Sequence, residues 1–219
     1  MALKNQTLHN ILRASLLLII FAFFLINPIS ALAMSKAEVA LPDFANFVQA
    51  VQNGHQNVLR GVYVPNVLAL PVIQQPVGNP GYVSQKDDEV TQFSMASEVG
   101  NIGLLAHNQL AGKSFSALAA GQEVRLVFGD GTIETFVITK LLRYQALQPN
   151  STTSEFLSLE DYTTITAEQL FRQVYRGNRH VTFQTCIANE GMLSWGRLFV
   201  IAEPKSKYPA DEFRWGTLK

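Results

Sequence analysis

The run EVRLVF-GDG-TIETFVITKLL, residues 123–142, commits this part of the chain to a β-hairpin. Two stretches rich in β-branched and aromatic residues flank an Asp-Gly pair, and Asp130-Gly131 offers the positive φ that a tight hairpin turn needs. Strand-like text recurs on both sides of it. Between Arg60 and Val83 the short apolar runs GVYV, VLALPVI and GYV are punctuated by Pro65, Pro71, Pro76, Pro80 and by glycines, which reads as strands joined by tight turns. NIGLLAHN is a buried strand ending at His107, and RHVTFQTC and GRLFVIAEP are two final strands. Helices are few. LPDFANFVQAVQNG places Phe44, Phe47, Val48 and Val51 at helical spacing, with Pro42 in the first turn and Gly54 as the cap. SFSALAAG is a short helical turn, and TAEQLFRQVYRG carries a capping box at Thr166 and Gln169 and a stop at Gly177. The polar stretch from Gln145 to Asp161 reads as a long loop. Many strands with scattered helices predict a mainly β fold, a barrel or a sandwich.

A formal net charge of zero over 219 residues, with no Lys/Arg run, disfavours nucleic acid as a partner. The same balance disfavours an electrostatic membrane partner. With 47% apolar residues the chain can bury an ordinary core. At the amino terminus, Lys4 and Arg13 precede the apolar run from Leu16 to Ile26, followed by ALA at 31–33. The run is shorter than the ~20 residues of a spanning helix. It fits the core of a secretory signal, with small residues at 31 and 33 for the peptidase. Because no charge occurs from Ala14 to Ser35, an uncleaved membrane anchor is the alternative. Both readings place the remainder outside the cytoplasm, at the cell envelope or membrane or released. The expected layout is a signal or anchor over 1–33, a helical segment over 34–57, a barrel over 58–204 and a tail over 205–219.

Export sharpens the question posed by the one cysteine, Cys186. Exported chains tend to use cysteines in pairs, so a lone thiol is a link to a partner chain, a reactive group or a buried bystander. In an extended strand Val181, Phe183 and Thr185 share one core-like face, while His180, Thr182, Gln184 and Cys186 share the other, which is largely polar. That places the thiol toward a cleft. A nucleophilic cysteine needs a proton acceptor, commonly histidine. Of the four histidines, His9 lies in the targeting segment and His55 in a solvated loop. His180 shares the thiol's face but stands ~20 Å away along an extended strand, which makes it a surface residue. His107, at the end of an apolar strand, is the remaining candidate. Arg197 opens the last strand, and antiparallel pairing would bring it to Cys186, where a guanidinium could stabilise an oxyanion.

Other chemistries find no pattern here: there is no C-x-x-C, H-E-x-x-H, P-loop or dinucleotide glycine motif, and GKSFSA is not a G-x-S-x-G elbow. Asp87, Asp88 and Glu89 read as a solvated turn. No metal and no cofactor is expected.

TFQTC (Thr182 to Cys186), LLAHN (Leu104 to Asn108) and Arg197 with its RLFVIAE resemble, in this order, the motifs of the sortases, bacterial cysteine transpeptidases. The likeness runs from about Arg60 to Pro204. Ala106 stands where the family commonly has glycine, and the helix from Thr166 to Arg176 resembles an insertion found in some members. The resemblance implies an eight-stranded closed β-barrel with a few short helices. It implies catalytic roles for His107, Cys186 and Arg197, with Thr185, Ala106, Asn108 and Trp195 at the substrate. Loop Ile187 to Trp195 and the segment Leu147 to Gly177 would wall the groove. The implied reaction cleaves a C-terminal sorting motif of the Leu-Pro-x-Thr-Gly kind and transfers the acyl group to an amine of a cell-wall precursor or a pilin lysine. A non-catalytic barrel that binds peptide or wall material, and a hydrolytic cysteine peptidase, are the alternatives.

Overall fold

The computed structural model describes residues 41–205, so the targeting segment over 1–33, the start of the helical segment and all but the first residue of the tail lie outside the described residues. Ten strands form one sheet that closes on itself. In chain order they are β1 (Leu59–Val64), β2 (Leu68–Gln74), β3 (Val90–Phe93), β4 (Ile102–Leu105), β5 (Glu123–Phe128), β6 (Ile133–Ala146), β7 (Phe156–Ser158), β8 (Thr164–Ile165), β9 (Val181–Asn189) and β10 (Met192–Pro204). Hydrogen bonding runs β10-β9-β4-β3-β2-β1-β5-β6, and β6 pairs with β10 to close an eight-stranded barrel. β7 and β8 extend from the far end of β6. The fourteen residues of β6 make this possible: their beginning pairs with β5, and their last three residues with β7. The pairs β2–β3 and β4–β9 are parallel, the others antiparallel.

The barrel interior is apolar. Val62, Leu104, Leu126, Phe136, Phe183 and Val200 fill it, and Phe115, from a 3-10 turn at Ala111–Ala117, sets its ring edge-on to Phe183 at 5.2 Å. Two smaller clusters lie elsewhere. Helix α1 (Phe44–Val51) lays Phe47 and Val51 on Tyr63 and Val127. It lies so close to β1 that a Cβ at Gly61 would meet Phe47 and Val51 at 2.8–2.9 Å. Helix α2 (Ser94–Glu98) is a short link. Helix α3 (Ala167–Tyr175) buries Leu170, Val174 and Tyr175 with Tyr144, Phe156 and Phe199, and its Thr166–Gln169 capping box is present at the predicted place. Among the described residues no helix is long and apolar enough to cross a membrane.

Several local expectations need correction. GYV, 81–83, is not a strand: Tyr82 N closes a turn on Asn79 O, and the Gln75 amide holds the carbonyls of Pro80 and Tyr82. Val90–Phe93 pairs in its place. The stretch from Gln145 to Asp161 contains the end of β6 and all of β7. Pro42 precedes the Asp43 cap of α1 instead of entering its first turn, and Gln52, not Gly54, caps the other end. In the β5–β6 hairpin only Gly131 of the Asp-Gly pair has positive φ. Gly131 N bonds to Phe128 O and Phe128 N to Thr132 O, a three-residue loop.

His180 is the main reversal: it is 6% exposed, not a surface residue. Its ring nitrogens lie 2.9 Å from Val174 O and 2.7 Å from Asn178 O, and the Thr182 hydroxyl donates to Val174 O at 2.6 Å. The last carbonyls of a helix lack intrahelical partners, and α3 finds them on the face of β9 that the alternation marked as open. Phe183→Ala is expected to lower stability by about 3–5 kcal/mol, measured by denaturant unfolding, because its ring occupies the centre of the barrel.

Candidate active site

β9 lies between β4 and β10, and this brings three predicted residues to one level. Arg197 stands directly opposite Cys186 in the antiparallel pair. On the other edge the parallel register pairs Leu104 with Phe183 and Leu105 with Gln184, and Ala106 N still donates to Gln184 O at 3.2 Å. β4 itself ends at Leu105, and the same register continued two residues further brings His107 to the level of Cys186. Strands lie ~4.8 Å apart, so the cysteine has an arginine about one strand spacing to one side, while on the other the chain leaving β4 leads to the histidine. All three residues are half-buried, and the thiol is free.

The chain past β4 holds His107 by its backbone. The His107 carbonyl accepts from Leu110 N at 2.9 Å and from Gly112 N at 3.1 Å. The carbonyl before it, on Ala106, accepts the Thr185 hydroxyl at 2.8 Å. Thr185 is therefore a clamp between β9 and the end of β4; it is 5% exposed, and its hydroxyl is engaged inside the fold. Ala106 is buried as well. The Asn108 amide donates to Leu193 O at 2.9 Å, which ties the same bend to the β9–β10 hairpin.

That hairpin replaces the expected loop from Ile187 to Trp195. Asn189 pairs with Met192 across Glu190-Gly191, both with positive φ, the turn type whose twist suits a two-residue hairpin. A bulge follows between Met192 and Gly196. It contains the half-buried Trp195 and shifts the register so that Arg197 faces Cys186. The Arg197 guanidinium donates to the carbonyls of Ser194 at 2.8 Å, Gly196 at 2.9 Å and Pro149 at 3.4 Å. Among the described residues it makes no ion pair.

Beside Arg197 a pocket of about 150 Å³ opens between α3 and the barrel wall, lined mainly by Phe93, Leu170, Phe171, Tyr175, Gln184 and Phe199. Burial pushes the Tyr175 phenol far above its ordinary range, so it stays a neutral donor, and its hydroxyl bonds to Gln184 Oε1. Sequence reading placed a groove wall in 147–177 but did not find this pocket, because its aromatic residues come from β3, β7, α3 and β10. It also missed Gln85, whose amide nitrogen lies 2.9 Å from His107 Nε2. Nothing in the local sequence marks that glutamine. Among the described residues no three His, Cys, Asp or Glu side chains gather to hold a metal ion.

No protein-family model matches the chain, and no curated protein does. Among solved structures it is similar to sortase A of Listeria monocytogenes, at 13% identity over 68% of this chain and 88% of that one, with a TM-score of 0.42. It is similar to sortase C1 of Streptococcus agalactiae in complex with MTSET, at 18% identity over 68% and 70%, with a TM-score of 0.43. It is also similar to sortase C-1 of Actinomyces oris, at 14% identity over 78% and 85%, with a TM-score of 0.45.

Gly112 gives the direct test of this architecture. A Cβ there would sit 2.4 Å from Thr185 Oγ1 and 2.7 Å from the carbonyl oxygens of Ala106 and His107. Gly112→Ala is expected to cost about 1–3 kcal/mol by overpacking and to displace His107, read by denaturant unfolding and by the amide chemical shifts of residues 105–112.

Proposed function

We propose that this chain is an extracytoplasmic cysteine transpeptidase of the sortase type, which attaches proteins carrying a C-terminal sorting motif to an amine. The observation that supports the reading is the pairing of Arg197 directly opposite Cys186, with β4, which leads into His107, hydrogen-bonded along the other edge of the cysteine strand. In this reading three residue types that suit acyl transfer, distant in sequence, act together on one bound peptide. The apolar pocket beside Arg197 supports it further by offering a place for a hydrophobic side chain of a bound peptide.

In this mechanism the thiolate Sγ of Cys186 attacks a backbone carbonyl carbon of the motif. The carbonyl π electrons move to oxygen, and the cation at Arg197 stabilises that charge. When the oxyanion collapses, the C–N bond breaks and His107, as imidazolium, gives its proton to the leaving nitrogen. The thioester is then attacked by an amine. His107 takes up the proton from the incoming amine, and the thiolate departs. Thr185, Ala106 and Asn108 hold the frame of the site through the contacts described above, and Trp195 would meet the bound peptide. An amine acceptor from wall precursor or a pilin lysine, and membrane attachment through residues 1–33 where uncleaved, complete the proposal.

The test incubates the protein with a Leu-Pro-x-Thr-Gly peptide library and triglycine, with intact-mass and product mass spectrometry. A thioacyl adduct and a triglycine conjugate are expected, both absent in Cys186→Ala. His107→Ala is expected to lower kcat by about 10²–10⁴-fold. Cleavage without any conjugate would reassign the chain as a cysteine peptidase. A thiol that alkylates readily yet forms no adduct with any peptide would make it a binding barrel.

A further inference from the structure

We propose that Gln85 is the positioning residue for His107, serving both protonation states of the imidazole by turning its amide. The inference rests on the acyl-transfer reading of the site but concerns a residue that reading does not use. Gln85 belongs to the connection between β2 and β3, and its neighbour Ser84 anchors that connection. Ser84 N donates to Thr91 Oγ1 at 2.9 Å, the Ser84 hydroxyl donates to Glu89 Oε1 at 2.6 Å, and Lys86 N donates back to Ser84 Oγ at 3.2 Å. Ser84 is 2% exposed and Thr91 wholly buried. Thr91 pairs with Leu105 on β4, two residues before His107. Ser84 is thereby fixed to β3, the neighbour of the strand that leads into the histidine, and the side chain of the next residue reaches His107. Gln85 is exposed, yet its backbone is held by a buried anchor, so its side chain starts from a defined point.

The chemistry follows from what each group can donate. An amide N–H only donates, so a Gln85 amide nitrogen at 2.9 Å from His107 Nε2 requires a lone pair on Nε2 and puts the ring proton on Nδ1. A second amide contact, to Val83 O at 3.3 Å, favours the same orientation. With Nε2 engaged by Gln85, Nδ1 is the nitrogen left to serve the thiol. To take the proton from Cys186, Nδ1 must have a lone pair, which puts the ring proton on Nε2 as an N–H that needs an acceptor. A half-turn of the amide about its last side-chain bond offers Oε1 at the same place, without backbone movement. The imidazolium that gives its Nδ1 proton to the leaving amine uses that orientation too. Nitrogen inward therefore holds a resting ring, and oxygen inward holds the ring through thiolate formation and acyl transfer. The ionisable groups on the elements around His107 are Cys186 on β9, Arg197 on β10, Lys113 in the 3-10 turn, and Lys86, Asp87, Asp88 and Glu89 beside Gln85. Lys86 is paired with Glu89 at 3.3 Å.

The test uses the full chain with ¹⁵N-labelled histidine, the His107 signals being assigned by their loss in His107→Gln. In alkaline solution the wild type is expected to show a substantial Nδ1–H tautomer at His107. Gln85→Met should shift it toward the Nε2–H form, and Gln85→Glu, an acceptor only, should hold Nε2–H. In the transfer assay Gln85→Met is expected to lower kcat by roughly tenfold with KM unchanged, a fraction of the 10²–10⁴-fold that a positioned acid supplies. Gln85→Glu, whose carboxylate favours the imidazolium, should recover much of that rate and move the limb of the pH–rate profile governed by His107 to higher pH. Thermal unfolding should be unchanged in both variants, since Gln85 is exposed. A His107 tautomer and a pH profile indifferent to Gln85→Met and Gln85→Glu would overturn the proposal. Because the tautomer measurement needs no substrate, a tautomer that follows residue 85 in a protein that transfers no peptide would remove the acyl-transfer reading and keep the Gln85–His107 coupling.

Discussion

Strand β9 is hydrogen-bonded on both edges, parallel to β4 and antiparallel to β10, and the barrel closes one strand further on, where β10 meets β6. Period-two alternation makes register an all-or-none property: a slip of one residue would turn Cys186 into the barrel and an apolar side chain out of it. What prevents the slip is the inner face. Val181, Phe183 and Thr185 on β9 are buried, and Phe183 meets Phe115 across the interior. The position of the thiol is thus decided by side chains that never touch it. The same holds for Arg197, placed by its register against β9, and for His107, placed by the bend that follows β4.

The outer wall contributes differently. Helix α3 covers the start of β9, and both His180 and Thr182 meet its Val174 carbonyl. The outward face of β9 is therefore divided along its length, closed beneath the helix and open near Cys186. At the boundary between the two lies the aromatic pocket beside Arg197. A helix that first serves to cover the barrel wall also shapes the space next to the thiol. Substitutions in α3 that keep Leu170, Val174 and Tyr175 buried can then change what the pocket admits without disturbing the barrel.

The features legible in the sequence were those written locally. The capping box at Thr166–Gln169 is a four-residue signal. The Gly-turn hairpin between β5 and β6 needs only its own residues, and the strands that carry Cys186 and Arg197 stand in recognisable text, whereas β4 stops at Leu105, two residues short of the expected end at His107. Closure of eight strands came from the family resemblance, not from periodicity, which carries no pairing order. Features that depend on tertiary neighbours were not legible. His180 looked exposed because alternation reports a face, and only the arrival of α3 decides whether that face meets water. The β9–β10 turn was hidden because Glu190 takes a positive φ that Asn or Asp would have advertised. Gln85 reaches His107 through Ser84 and Thr91, and no spacing rule connects residues 85 and 107.

Arg197 shows how a fold can orient a cation without neutralising it. A carboxylate partner would fix the guanidinium equally well, but it would cancel the charge and leave little field at the neighbouring thiol. Carbonyl oxygens are dipoles. Those of Ser194, Gly196 and Pro149 accept its N–H groups and set its direction while its full charge remains. Two of the three belong to the bulge that sets the register of Arg197 against Cys186, so the irregularity that aligns the arginine also supplies its ligands. The third comes from the connection between β6 and β7, which makes the cation's orientation sensitive to that loop. A peptide entering between this loop and the β9–β10 hairpin would offer carbonyls of its own. Exchanging one carbonyl for another costs little, so the guanidinium can turn to a substrate without breaking an ion pair.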